Sequence, residues 1–194
     1  MLDVGCGNGY LGKMLAERGF NVTGIEQRGG TDAEFPESVL LVEADLEAGL
    51  PTLDGQFDYI VCADILEHLR DPLRLLKQLR DRLAPGGELI ASLPNSGNLY
   101  FRIVILFGRF PQEDKGLFDR THVRFFTWDG WRQLFEQCGF RIDSVKSSNI
   151  PVGLTVPAFS ESFPVRIAER ISYELAKAWK RLFAYQFVVT ARVN

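Results

Sequence analysis

Apolar positions along this chain fall into two alternating periods. Short runs with strand character occur at Leu2-Asp3-Val4, Phe20 to Glu26, Val39 to Val42, Phe57 to Ala63, Glu88 to Leu93, Phe140 to Val145 and Gln186 to Val193. Phe57 to Ala63 is nearly continuous in apolar residues, as a strand buried on both faces requires. Helical spacing lies between the runs. It predicts a helix from Tyr10 to about Arg18, stopped by Gly19. A second opens at Asp71-Pro72, buries Leu73, Leu76, Leu79 and Leu83, and ends at Pro85-Gly86-Gly87. A third, capped by Thr127, places Trp131, Leu134, Phe135 and Cys138 on one face and stops at Gly139. The last opens at Pro164, with Ala168, Ile171, Leu175, Ala178 and Leu182 at helical spacing. Its other face carries Arg166, Arg170, Lys177, Lys180 and Arg181 and reads as solvent surface, the alternative being contact with a partner or an anionic membrane.

Three stretches break the alternation. Gly29 to Pro36 is polar and rich in breakers, a loop or a poor short helix. Residues 94–126 hold an apolar-aromatic section, Leu99 to Phe107, then a turn at Gly108 and the polar run Gln112 to Gly116. An insertion after a strand's carboxyl end is where a substrate lid lies. A core helix and a lipid-touching surface helix are the other readings of its apolar part. Ser147 to Ser162 is loop-like, so residues 148–183 read as a loop plus a helix inserted before the last strand.

With 194 residues the chain fits a single domain, 1–194, and its 46% hydrophobic content is that of a soluble globular protein. A net charge of -3 supplies no basic field for nucleic acid. Ile103 to Phe107 is too short for stable membrane insertion. Cys6, Cys62 and Cys138 form no C-x-x-C pair and there are only two histidines. That spacing argues against a metal site and for a reducing, cytoplasmic setting. The chain opens almost inside its first strand, so a truncated start is expected.

Candidate chemistry begins at Asp3-Val4-Gly5-Cys6-Gly7-Asn8-Gly9, where a strand meets a helix through three alternating glycines. Glycine lets backbone N–H groups come within contact distance of a ligand, and the helix N-terminus adds positive potential. The dinucleotide fingerprint needs its third glycine where this chain has Tyr10. Glu26 closes the second strand, a position from which a carboxylate accepts hydrogen bonds from ribose hydroxyls. That geometry serves several nucleoside ligands alike.

The glycine loop and its acid resemble motif I of the class I S-adenosylmethionine-dependent methyltransferases. Phe57 to Asn95 resembles their strand-four to strand-five block, and Asp119 to Thr127 (D-R-T-H-V-R-F-F-T) that of ubiquinone-biosynthesis and polysaccharide-associated members. Ser92 to Asn95 and Asp45 to Leu50 are similar to MetW-like proteins. The resemblance implies an α/β, doubly wound, mostly parallel seven-stranded sheet ordered 3-2-1-4-5-7-6, its last strand antiparallel and helices on both faces. It implies S-adenosyl-L-methionine as cofactor, held by Asp3, Gly5, Cys6, Gly7, Asn8, Gly9, Glu26, Gln27, Asp45, Leu46, Ala63, Asp64 and His68. Asp45 would accept from the adenine amino group, or else cap a turn. His68 would sit near the sulfonium, or else bond backbone in its own loop. His122 is the candidate base at the substrate mouth, with Tyr100, Asp119 and Arg124 toward a small-molecule acceptor, and no metal is expected. The same residues Asp119, Thr121 and His122 would otherwise lock a turn while Phe125 and Phe126 plug the core. The implied reaction is in-line methyl transfer, more readily to oxygen; the alternative is a MetW-like, non-catalytic partner-binding protein.

Overall fold

Seven strands form one sheet: Leu2–Val4 (β1), Val22–Glu26 (β2), Val39–Glu43 (β3), Phe57–Ala63 (β4), Leu83–Pro94 (β5), Phe140–Ser147 (β6) and Gln186–Val193 (β7). Their order is β3-β2-β1-β4-β5-β7-β6, as the resemblance implied. Pairings from β3 across to β5 are parallel, and β7 runs antiparallel to both neighbours. The structure, a computed structural model, describes residues 1–27, 29, 35–149 and 162–194. Most of the two expected loops, Gly29 to Pro36 and Ser147 to Ser162, lies outside the described residues.

Tyr10–Ala16 (α1) packs on β2 and β3, where Gly12 leaves room for Val39 and Val22. Pro72–Arg80 (α2) is capped as expected: the Asp71 carboxylate accepts from the Arg74 N–H at 3.0 Å. Its buried residues are Pro72, Leu75, Leu76 and Leu79. Leu83 does not belong to that face. The helix ends at Arg80, and Leu83 already pairs with Phe57, so β5 starts five residues before the expected Glu88. Proline and glycine mark a ladder irregularity there rather than a loop. Trp128–Gln137 (α4) buries Trp131, Leu134 and Phe135 as its spacing predicts, although the Thr127 side chain makes no capping bond.

Leu99–Leu106 (α3) buries only Phe101. With Leu117 and Phe118 it forms a small second core, Phe101 and Phe118 stacking 4.4 Å apart. Phe125 joins these rings, whereas Phe126 packs on Trp131 in the main core. Phe163–Ala178 (α5) breaks at Trp179, so Leu182 sits on the separate Lys180–Phe183 (α6). The apolar stripe of α5 is not a core face: Ala168, Ile171, Leu175 and Ala178 are exposed, the first three facing Leu99 and Ile103 of α3 across a groove. Of the basic residues, Lys180 donates to the Val145 carbonyl and Arg181 pairs with Asp129. Among the described residues no helix is long and apolar enough to cross a membrane.

Two buried asparagines fasten residues 94–126 to the strand that follows α6. Asn95 and Asn98 each donate to the Ala184 carbonyl at 2.8 Å. Their oxygens accept from Gly97 and Tyr100, the second bond capping α3. Trp131 donates to the Pro94 carbonyl at 2.8 Å, which fixes the end of β5.

Candidate active site

β1 leads into α1 through three left-handed glycines, Gly5 at φ 73°, Gly7 at φ 54° and Gly9 at φ 74°. A Cβ on Gly5 would sit 2.8 Å from Ile65, and one on Gly9 2.7 Å from Phe35. Gly7 differs: among the described residues nothing lies within 4 Å of its Cβ position. Its N–H donates to Glu26 at 2.7 Å, and the Gln27 N–H donates to the other oxygen at 2.8 Å. Glu26 therefore stands at the glycine loop, with further lone pairs to offer. Beneath it Asp3 is buried, and its Oδ2 has no hydrogen-bond partner among the described residues. Burial, reinforced by the Glu26 charge, pushes the Asp3 carboxyl up to about 6. Open space over a glycine, two acids and one orphaned oxygen suit a cationic nucleoside. Cys6 packs on Gly24, and burial plus both acids push its thiol up to about 12, so it is a packing residue at neutral pH.

Beside this loop β4 delivers a second group of side chains. β1 and β4 are neighbours, and Ile65 rests on Gly5, so the two turns leave the sheet side by side. Asp64 is left-handed at φ 54° and accepts from Ser92 and Gln186, each at 2.8 Å. A 3₁₀ turn, Leu66–His68, follows and buries Glu67. The Glu67 carbonyl accepts from the Val123 and Arg124 N–H groups at 3.0 Å each. Those two bonds bring the Asp119–Thr127 stretch onto the turn. His122 Nε2 thereby reaches 3.8 Å from Glu67 Oε1, and the His68 and His122 rings lie 4.7 Å apart. A cavity of about 150 Å³ opens here, bordered by Asp64, Glu67, Asp119, His122, Tyr185 and Gln186.

Burial shifts Glu67 and His122 toward their neutral forms. Burial pushes the Glu67 carboxyl up to about 8, opposed by its backbone contact and helped by Asp64 and Asp119. Burial and His68 hold His122 below its ordinary value against the pull of Asp119 and Asp64. Both shifts favour the neutral forms of this 3.8 Å pair. Asp119 behaves oppositely: burial raises it, but two bonds from Thr121 outweigh that and lower it.

The structure brings Asp3, Gly5, Gly7, Gly9, Glu26 and Gln27 together at one turn, and Asp64, His68, Asp119 and His122 at the next. Asn8 is exposed, and its oxygen accepts from the Tyr10 N–H at 3.3 Å. Ala63, half-buried, ends β4 opposite Ser92. Asp45 accepts from the Glu47 N–H at 2.9 Å, the turn-capping alternative, and Leu46 is buried in the core. His68 bonds the Thr121 carbonyl through Nδ1 at 3.2 Å while lining the cavity. Asp119, Thr121 and His122 do form a locked turn, and that turn is what presents His122. Tyr100 and Arg124 are not among the residues lining the cavity. Tyr100 stands edge-on to Phe118, and the Arg124 guanidinium is held by the Arg70 carbonyl. Sequence reasoning missed Glu67, Tyr185 and Gln186. An acid inside the apolar run Leu66-Glu67-His68-Leu69 was a visible signal; the other two, far along the chain, gave none.

Sheet order and glycine loop together define the fold of the class I S-adenosylmethionine-dependent methyltransferases. A family model described as a methyltransferase domain matches residues 1–145, and the chain belongs to that family. A ubiquinone biosynthesis O-methyltransferase of Pseudomonas aeruginosa is 33% identical over 108 residues, covering 49% of this chain and 44% of that one. A tRNA U34 carboxymethyltransferase of Nautilia profundicola is 36% identical over 97 residues, covering 46% and 32%. The chain thus matches less than half the length of these curated relatives. Among solved structures, a SAM-dependent methyltransferase from Archaeoglobus fulgidus superposes with a TM-score of 0.63 at 21% identity, covering 98% of this chain and 84% of that one.

Proposed function

We propose that this chain transfers a methyl group from S-adenosylmethionine to an oxygen of a small-molecule acceptor. The observation that carries the reading is the adjacency of two turns: the open Gly7 beside Glu26 and Asp3, and the cavity walled by Glu67, His68 and His122. S-adenosylmethionine held there would supply an activated methyl, its sulfur keeping the electron pair of the bond that breaks as the acceptor's oxygen takes the carbon. The protein's task is therefore placement, which supplies on the order of 7–11 kcal/mol when geometry is right. Glu26 accepts from the ribose hydroxyls, the Gly7 loop cradles the nucleoside, and Asp3 balances positive charge. Asp45, one oxygen of which accepts from the Glu47 N–H, accepts from the adenine amino group with the other. Asp64, locked by Ser92 and Gln186, holds the shared wall between cradle and cavity. Asp119 and Tyr185 line the acceptor's seat, and His122 activates its oxygen. An oxygen acceptor accords with the name of the Pseudomonas relative, and a net charge of -3 favours a small molecule over tRNA.

Calorimetry with S-adenosylhomocysteine and transfer of labelled methyl to a panel of phenols and catechols test this reading. Binding plus transfer to a hydroxyl is expected. His122→Ala should lower kcat by about 10²-fold or more with cofactor affinity unchanged. A chain that binds no adenosyl ligand, or methylates only nitrogen or RNA, overturns it.

A further inference from the structure

Among its described side chains α5 buries only Ala176, whose carbonyl accepts from the Ser147 hydroxyl at 3.0 Å. Ile171 stands five residues earlier, about 140° round the helix. It is 55% exposed. We propose that this outward face is the seam of a symmetric homodimer, a second copy of the chain laying its own α5 antiparallel across the first.

The order of side chains is the first argument. Ile167, Ile171 and Leu175 stand four apart, so the ridge they form has the same spacing read from either end. Turned about a twofold axis at Ile171, the ridge meets itself. Ile171 packs on its own copy, and Ile167 packs on Leu175 of the second copy, the reciprocity that twofold symmetry demands. Ridges of this i±4 kind interlock at about −50°, the commonest crossing of helices in globular proteins. A shallow depression of about 510 Å³ runs along the same face, bordered by Ile167, Arg170, Ile171, Glu174, Leu175 and Ala178, all from α5.

Charge supplies an independent argument. Arg170 and Glu174 flank the ridge on one side, and neither has a hydrogen-bond or ion-pair partner among the described residues. Along the axis Arg170 stands about 1.5 Å before Ile171, and Glu174 about 4.5 Å beyond it. Inversion therefore brings Arg170 of one copy to within about 3 Å of the level of Glu174 of the other, a step that a long arginine spans. Symmetry makes two such pairs. The same charges select the occupant. With Lys180 and Arg181 engaged elsewhere, α5 carries Arg166, Arg170 and Lys177 against Glu169 and Glu174. An anionic lipid surface calls for one sign, whereas mixed signs suit a second copy of the same helix.

A stable dimer takes roughly 800 Å² from each partner, more than one short helix face offers. α3 extends the surface. Its Leu99 and Ile103 face α5 across the neighbouring groove of about 500 Å³, and Leu106, on the same side of α3, is 81% exposed. Monomers rarely leave contiguous apolar surface of this extent in water.

Analytical ultracentrifugation of the full chain across micromolar concentrations tests the proposal. A dimer that dissociates on dilution is expected. Ile171→Glu should weaken it by about 100-fold or more, since two carboxylates then meet at the axis. Arg170→Glu and Glu174→Arg should each weaken it by about 10-fold or more, like charges then facing across the seam. All three side chains are exposed, so far-UV circular dichroism of the variants should match the parent. An equimolar mixture of the two charge-reversed chains should regain the parent's association, because every acid again faces a base. A chain that stays monomeric overturns the proposal, and one that stays monomeric yet floats with phosphatidylglycerol vesicles does so by giving the face to lipid. A dimer that survives Ile171→Glu, or charge-reversed chains that do not associate when mixed, overturns it equally by placing the seam elsewhere.

Discussion

Gly7 and Gly9 share a left-handed backbone but stand in different surroundings, so alanine should separate binding from stability. A side chain in that conformation costs about 1–2 kcal/mol at either position. At Gly9 the new methyl also meets Phe35 and Pro36, whereas at Gly7 it enters open space. Gly9→Ala should therefore unfold at clearly lower denaturant than Gly7→Ala, which loses only the backbone cost of about 1–2 kcal/mol but most of its S-adenosylhomocysteine affinity. Urea melts beside calorimetry check both. Asp3 makes a pH prediction. Its carboxyl is raised from 3.8 to about 6, so the native state holds that proton more tightly than the unfolded chain. Stability is then full below about pH 4 and falls as pH rises through 6, by about 3 kcal/mol in all. Asp3→Asn should remove that loss, and urea midpoints at pH 4 and 7.5 should lie closer together than in the parent.

Elements show where periodicity suffices and where it does not. The α4 face was legible because Trp131, Leu134 and Phe135 meet a sheet that had to be covered. The α5 stripe has the same spacing and lies exposed, since spacing states which residues share a face but not what that face meets. Leu83 was assigned to α2 because its position continues the helical period; pairing with Phe57 decided otherwise. At this scale Trp131→Phe should cost about 1–3 kcal/mol by orphaning the buried Pro94 carbonyl, read as a shift in chemical-denaturation midpoint. Asn98→Ala removes the α3 cap and the bond to Ala184 and should cost about 2 kcal/mol.

For the whole molecule, sheet order sets what the site is. Placing β1 between β2 and β4 gathers the Gly7 loop, Glu26 and Asp64 at the strands' carboxyl ends, where open α/β sheets bind ligands. A ligand bound there stabilises the native state by about 2.7 kcal/mol at a hundred times its dissociation constant. S-adenosylhomocysteine should therefore raise Tm in the parent and not in Gly7→Ala, a comparison that differential scanning calorimetry makes directly. The glycine turn and its acid were legible because these groups follow one another locally, glycines on one turn and an acid at the next strand's end. The neighbouring cavity was legible only in part. His122 stood out as a polar residue in a patterned segment, but nothing local paired it with Glu67. The sequence by itself determined the strands, most helices and the glycine turn, because each depends on neighbours a few residues away. Only tertiary structure decided that Val123 and Arg124 hang from the Glu67 carbonyl, setting two histidines against a buried acid. Contacts across more than fifty residues follow from packing, and packing is a property of the folded surface rather than of any stretch of chain.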